Sequence, residues 1–332
     1  MDALSLALNA VHMSSAIFYY AECTAPWGFA VPSLQQVAPM LAPGVERLVP
    51  YHLVTEGRAL VTFEDGTEVE LEAGDVVIIP LGEAHSVSNG RPTELVDSGK
   101  SLGKFLSGDL RTMCMGGGGE RTGFICGYFG CERRADRLFL AGLPHMIKIN
   151  ARGDATGKWL EDSIHYLVAE ADRSRPGQSV LLSRMAEALF VETLRRYMER
   201  LPSEHIGWLA GARDSIVGGA LALLHQQPSA SWTVDELAMK VGASRSVLTD
   251  RFSRFMGEPP LTYLARWRLQ LAARLLTQGA KPIAQIAFDV GYESQAAFKR
   301  AFNREFGVAP GRYRKARSSA FSSRARIDGA RD

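Results

Sequence analysis

Between residues 45 and 96 the apolar positions fall in short runs of the strand type. Tyr51-His52-Leu53-Val54, Ala59-Leu60-Val61-Thr62-Phe63, Glu68-Val69-Glu70-Leu71 and Val76-Val77-Ile78-Ile79 are rich in β-branched residues. Turn signals separate them: Glu64-Asp65-Gly66-Thr67 holds the Asp-Gly pair of a tight hairpin, and Ala73-Gly74-Asp75 and Leu81-Gly82-Glu83 close the next connections. Closely spaced antiparallel strands predict a sandwich or small barrel. Residues 97–122 carry Ser98-Gly99-Lys100, Ser107-Gly108-Asp109 and glycines 116 to 119, which read as a mobile loop, either a plain insertion or a flap over a pocket. From Lys158 to Leu201 the period becomes helical. Trp159, Ile164, Leu167 and Val168 form one stripe, and Leu181, Leu182, Met185, Leu189 and Leu194 another, with Ser174-Arg175-Pro176-Gly177 as the break. These helices must bury their apolar faces, either on their own barrel or, through the second helix, against a second copy of the chain.

The strongest pattern is a repeat in residues 233–310. Leu237, Ala238, Val241 and Gly242 recur 49 residues later as Ile286, Ala287, Val290 and Gly291. One residue is then added in the turn, so that Ser244, Phe252, Met256, Gly257 and Pro260 answer at a spacing of 50 to Ser294, Phe302, Phe306, Gly307 and Pro310. Each motif is a short helix, a glycine turn, a serine N-cap and a second helix with apolar anchors, which is a helix-turn-helix. The amide groups at the start of the second helix suit a DNA phosphate, and its outward face suits the major groove. Between the motifs, Pro260 to Leu276 predicts a helix with Leu264, Trp267, Leu271 and Leu275 at helical spacing and Arg266, Arg268 and Arg274 interleaved. Such a helix would hold two recognition helices at a set separation, so that they enter successive major-groove segments about 34 Å apart.

Charge sharpens this division. Residues 1–211 hold 19 Lys and Arg against 26 Asp and Glu, a balance of −7, whereas residues 212–332 hold 19 against 10, or +9. The basic half is the one that meets a polyanion. With 46% apolar and 22% charged residues in 332, neither a disordered nor a fibrous chain fits, and two or three domains are expected. Four cysteines, Cys23, Cys114, Cys126 and Cys131, are too few for a secreted disulfide scaffold, so a reducing, cytoplasmic setting is the expectation. Leu4 to Ala21 is apolar but lacks the basic start of a signal peptide, and no window approaches a membrane span, so no membrane partner is expected.

Residues 213–317 resemble the DNA-binding domain of the AraC/XylS family of bacterial transcription regulators. The likeness extends to Gly257-Glu258-Pro259-Pro260, Ile286-Ala287-Phe288-Asp289-Val290-Gly291-Tyr292-Glu293-Ser294 and Phe306-Gly307-Val308-Ala309-Pro310-Gly311-Arg312-Tyr313-Arg314. The resemblance implies base reading by Ser246, Thr249 and Asp250 in the first motif and Gln295, Ala296, Lys299 and Arg300 in the second. Gln295 suits adenine and Lys299 or Arg300 guanine, while Asp250 accepts only from cytosine or orients a neighbouring arginine. Arg245, Arg251, Arg254, Arg268 and Arg304 are expected at phosphates, with Ser244 and Ser294 capping the recognition helices. Leu248, Phe252, Phe298 and Phe302 are expected in the core.

Gly74 to Asn89 reproduces the second cupin motif, with Pro80, Gly82, His85 and Asn89 at its spacing. The first cupin motif is poor: only His52 is present, beside Pro50 and Val54, where a metalloenzyme offers more ligands. Three protein ligands are the usual minimum for metal catalysis, so no enzyme is expected. The alternatives are a regulator that responds to a small molecule or metal bound in the barrel and, behind it, a cupin-type metalloenzyme with an accessory DNA-binding domain. His52 and His85 could bind a transition metal such as zinc with Cys126 or another cysteine as third ligand, or simply hydrogen-bond inside the barrel. Ile125-Cys126-Gly127-Tyr128-Phe129 is similar to the cupin sensor domains that precede AraC-type regulators. The resemblance implies oxidant sensing through Cys23 and Cys126, with Cys131, beside Arg133 and Arg134, as a further thiol in cationic surroundings.

The expected whole is an α+β multidomain protein. It comprises a cupin-like β-barrel sensor (1–157), a helical pair that dimerises (158–202), a linker (203–212), an all-α DNA-binding domain with two helix-turn-helix units (213–317) and a disordered basic tail (318–332). Its expected partners are a double-stranded DNA operator, a second copy of the chain, RNA polymerase if it is an activator, and a small-molecule effector if the barrel binds one.

Overall fold

A computed structural model describes residues 1–10, 13–35, 38, 47–90, 96–97, 113–131, 143–152, 155–171, 175–202, 204–279 and 281–315. The expected flap segment 98–112 and the tail 318–332 lie outside them. Met13–Glu132 and Pro144–Arg200 form one compact unit, and Leu201 onward forms another together with the first twelve residues.

The first unit is the predicted β structure. Its strands are β1 (Met13–Thr24), β2 (Gly28–Val31), β3 (Arg47–Glu56), β4 (Arg58–Phe63), β5 (Glu68–Glu72), β6 (Asp75–Ile78), β7 (His85–Ser88), β8 (Val96–Asp97), β9 (Met113–Gly116), β10 (Arg121–Cys131) and β11 (Ile147–Asn150). They form a six-stranded sheet in the order β11-β6-β3-β10-β1-β9 and a five-stranded sheet in the order β5-β4-β7-β2-β8. The alternation of side chains sends Val54, Ala59, Val61, Phe63, Val77, Val87, Phe124 and Cys126 into one core between the sheets. The other face of the six-stranded sheet is also covered. Helices α2 (Ala155–Ala171) and α3 (Gln178–Arg200) follow β11, and Phe190 of α3 sits 4.9 Å from Phe129, itself against Tyr51 at 4.8 Å. That explains why β3 is buried along most of its length instead of alternating. Leu189, Phe190 and Leu194 thus pack on their own barrel, while Val180 and Leu181 at the start of α3 stay exposed.

Glycines 116 to 119 are not a loose loop. A side-chain carbon on Gly116 would meet the Thr24 carbonyl, and on Gly119 the Ala25 carbonyl, while Gly117 and Gly119 donate to those same two carbonyls at 2.9 Å. Here glycine lets two backbones touch.

The second unit is helical: α1 (Ala3–Ala10), α4 (Trp208–Arg213), α5 (Ser215–Gln226), α6 (Val234–Lys240), α7 (Arg245–Met256), α8 (Pro260–Gln278), α9 (Ile283–Asp289) and α10 (Gln295–Phe306). The N-terminal helix α1 packs on α5 with Ala3, Leu4 and Ala7 buried, and Gln226 donates to the Met1 carbonyl at 2.9 Å. These first residues therefore group with the helical unit, not with the barrel that follows them in sequence.

Candidate nucleic-acid interface and sensor site

The sequence repeat is a structural repeat. Helices α6 and α9 both have seven residues and α7 and α10 both have twelve. Ser244 Oγ accepts from the Val247 amide at 3.3 Å, and Ser294 Oγ from the Ala297 amide at 3.2 Å. Leu248, Phe252, Phe298 and Phe302 are fully buried, as a core role requires. The opposite face of each second helix is polar and open. Ser244, Arg245, Ser246 and Asp250 are exposed on α7, as are Ser294, Ala296, Lys299 and Arg300 on or beside α10, with Thr249 and Gln295 half-buried. The Thr249 hydroxyl is occupied by the Arg245 carbonyl at 2.8 Å. Asn303 continues the stripe that runs through Ala296, Lys299 and Arg300 and is exposed. The spacing i, i+3, i+4, i+7 was the signal for including it.

The five candidate phosphate arginines are not equivalent. Arg245, Arg254 and Arg304 are exposed, Arg245 lying 3.1 Å from an equally exposed Asp235. Arg251 pairs with Asp214, the residue that caps α5 by accepting from the Ile216 and Val217 amides. Arg268 departs most from the phosphate role: its Nε donates to the Pro228 carbonyl at 2.6 Å and its Nη2 to the Ala230 carbonyl at 2.8 Å.

Inside the barrel, His52 on β3 and His85 on β7 join the two sheets, with their Nε2 atoms 2.8 Å apart. His52 Nδ1 lies 3.0 Å from Cys126 Sγ, and His85 Nδ1 lies 2.8 Å from the Glu83 carbonyl. Burial holds His52 well below the usual histidine pKa, with the neighbouring His85 adding to the effect, and pushes His85 down to about 4, so both rings are neutral. One proton arrangement follows. The Glu83 carbonyl only accepts, so His85 carries its proton on Nδ1 and accepts at Nε2 from His52. His52 then accepts at Nδ1 from the Cys126 thiol. This geometry separates Cys126 from the meeting point of the two Nε2 atoms, because the sulfur lies on the other edge of the His52 ring. Cys126 thus does not complete the candidate metal site, and no group of three His, Cys, Asp or Glu among the described residues is placed to hold a metal ion.

Residues 2–199 match the family model described as Cupin, and residues 237–316 that described as Helix-turn-helix domain. The HTH-type transcriptional regulator AlkR of Acinetobacter baylyi is 32% identical over 95% of this chain and 99% of its own. A putative AraC-like transcription regulator of Streptomyces lividans is 35% identical over 81% of this chain and 87% of its own. The chain belongs to the AraC-like transcriptional regulators. A further relative of this AraC-like regulator, at 28% identity over 81% of this chain and 84% of its own, is the RCS-specific HTH-type transcriptional activator RclR of Escherichia coli. Among the described residues no helix is long and apolar enough to cross a membrane.

The cysteines of the AraC-like chain are spread through its barrel. Cys23 and Cys126 both face the core, but β1 and β10 pair so that Cys23 is opposite Thr122 and Cys126 opposite Tyr19. Four residues of strand separate them, about 13 Å at ~3.3 Å per residue. A disulfide needs Cα atoms within about 7 Å, so the two cannot join while this pairing holds. Burial, with a smaller contribution from Cys114, pushes the Cys23 thiol up to about 12. Cys114 is exposed on β9, and Cys131 ends β10.

Proposed function

We infer that this AraC-like regulator is a cytoplasmic homodimer that binds a double-stranded DNA operator through both recognition helices and senses its signal in the cupin barrel at Cys126. The observation that carries the DNA reading is that the second motif's recognition helix repeats the first's in length and serine cap, with both open faces in the half of charge +9. Bases meet Ser246, Thr249, Asp250, Gln295, Ala296, Lys299 and Arg300, and phosphates meet Arg245, Arg254 and Arg304. Exposed Trp159 and Tyr166, seven residues apart on α2, support a self-association face. RNA polymerase is a further partner if the chain activates, as RclR is named to do. The naming of the relatives as regulators supports a role without catalysis.

For the signal, the hydrogen-bond relay supports oxidation of Cys126. Hydrogen peroxide transfers one oxygen atom to the Cys126 sulfur as its O–O bond breaks, and the thiol proton, whose nearest acceptor is His52 Nδ1, passes to the departing hydroxide to give water and the sulfenic acid. Sulfur oxidation would break the link that orients His52 and so disturb the tie between the two sheets. The test is binding of the full chain to a duplex selected from a random library, before and after treatment with hydrogen peroxide or hypochlorite, with thiols mapped by mass spectrometry. Modification of Cys126 with a change in affinity is the expected result. Specific binding indifferent to oxidation would move the search to a small molecule or metal in the barrel.

A further inference from the structure

The helix α8 joins the two helix-turn-helix motifs and belongs to both of their cores. Its first half places Tyr263 and Trp267 against the first motif, Tyr263 5.6 Å from Phe252 and Trp267 4.0 Å from His225 of α5. Its second half places Leu269, Ala272, Ala273 and Leu276 in a cluster with Ile286, Ala287, Val290, Phe298 and Phe302 of the second motif. Arg268 lies at the crossover between the two. Its guanidinium leaves α8 to hold the Pro228 and Ala230 carbonyls, in the loop that leads into α6.

The same guanidinium also lies against the second motif. Gly291, in the turn between α9 and α10, has φ +88, and a Cβ there would come within 2.8 Å of Ser229 Cα and 2.9 Å of Arg268 Cζ. The lead-in loop of the first motif, the Arg268 side chain and the turn of the second motif therefore meet at one point. The equivalent turn glycine of the first motif, Gly242, has the same kind of backbone, φ +68, but nothing within 4 Å of its would-be Cβ. The two glycines share a conformation for a shared reason, the helix-turn-helix turn. Only Gly291 also answers to a contact between motifs. Half-burial and two carbonyl partners leave Arg268 poorly placed to serve a phosphate.

We propose that Arg268 is a positioning residue that fixes the angle and separation of the two recognition helices, and thereby the number of base pairs this regulator accepts between the two segments it reads. A helix alone sets the distance between the motifs along its axis. Their rotation about it is set by how each core packs on α8 and by contacts across the gap, where the Arg268 guanidinium donates to the Pro228 and Ala230 carbonyls while lying against Gly291. One base pair more or less turns the second segment by about a tenth of a helical turn, so rotation is what spacing selectivity reads.

The inference rests on both recognition helices meeting DNA, and the test separates the two claims. The full chain is used to select a duplex from a random library, and versions with one base pair removed from or added to the interval are then compared. Wild type is expected to prefer the selected interval by about tenfold or more, the scale of losing one correctly placed base pair. Arg268→Ala is expected to bring the three duplexes within about threefold of one another with the salt slope unchanged, whereas loss of a phosphate contact would flatten that slope by about one. Arg268→Ala with undiminished spacing preference overturns the proposal alone, and a wild type indifferent to spacing overturns the two-helix reading with it. Should Arg268→Ala not fold, Gly291→Ala and Gly242→Ala decide. Both strain the turn, but only Gly291→Ala pushes the motifs apart, so it is expected to shift or flatten the spacing preference that Gly242→Ala keeps. Equal behaviour of the two glycine variants overturns the proposal.

Discussion

Arg300 stands open on α10 among Ala296, Lys299 and Asn303, with no carbonyl among the described residues to hold it, in contrast to Arg268. Replacing it by alanine is expected to lose about 1–3 kcal/mol of binding and to relax preference at one base position. Selection of the variant against a random duplex library measures this, and an unchanged preferred sequence would remove Arg300 from the readout. The barrel histidines predict a pH effect of defined sign. His52 and His85 are neutral when folded, with His85 at about 4, whereas an unfolded chain protonates histidine near ~6.5. Below ~6.5 the unfolded state binds more protons, so this stability is complete above that pH and is lost as pH falls toward 4. The loss is about 1.4 kcal/mol per pH unit for each histidine. Denaturant melts at pH 7 and pH 5 check it, the barrel transition weakening at the lower pH. His225, pushed by burial to about 3, acts in the same direction on the helical unit.

The two recognition helices begin alike, and equal geometry implies equal energetics. Ser244→Ala and Ser294→Ala should each destabilise the helical unit by about 1 kcal/mol, measured by thermal unfolding without DNA. A large difference between them would mean that one cap is made by another group. The entries to the first helices do not match. Thr233 and Glu236 form a reciprocal capping box on α6, while α9 starts after Pro282 with no side-chain cap. The second motif accordingly relies more on packing. For α3 the decisive residue is Phe190, buried against Phe129. Phe190→Ala is expected to remove about 3–5 kcal/mol and to loosen the helix from its sheet, visible as a lower barrel melting temperature.

The charge division also has a readout on the intact chain. With Arg245, Arg254 and Arg304 of both copies of the proposed dimer neutralising about six phosphates, raising salt from about 50 to 200 mM should weaken binding by roughly 10³-fold. A much shallower dependence would mean that few of Arg245, Arg254 and Arg304 touch the backbone of DNA. A sheet-rich unit and a helical unit follow one another as the patterning predicts, because a 2-residue strand period and a 3.6-residue helix period cannot be exchanged without exposing an apolar face, although the first residues join the helical unit.

Sequence alone determined the repeat, its serine caps, the turn glycines and the buried anchors. These depend on groups a few residues apart whose geometry local hydrogen bonding dictates. It determined also that His52 and His85 share a barrel, since the motif around His85 and the strand at His52 have their own signals. Which nitrogen meets which neighbour, and that Cys126 falls on the far side of His52 from His85, came from strand register, which no local pattern specifies. The same holds for the separation of Cys23 from Cys126 and for Gly116 lying against Thr24. Arg268 is the sharpest case. In sequence it is one more basic residue on a helix facing DNA, and only the meeting of three segments distant along the chain turns its guanidinium inward.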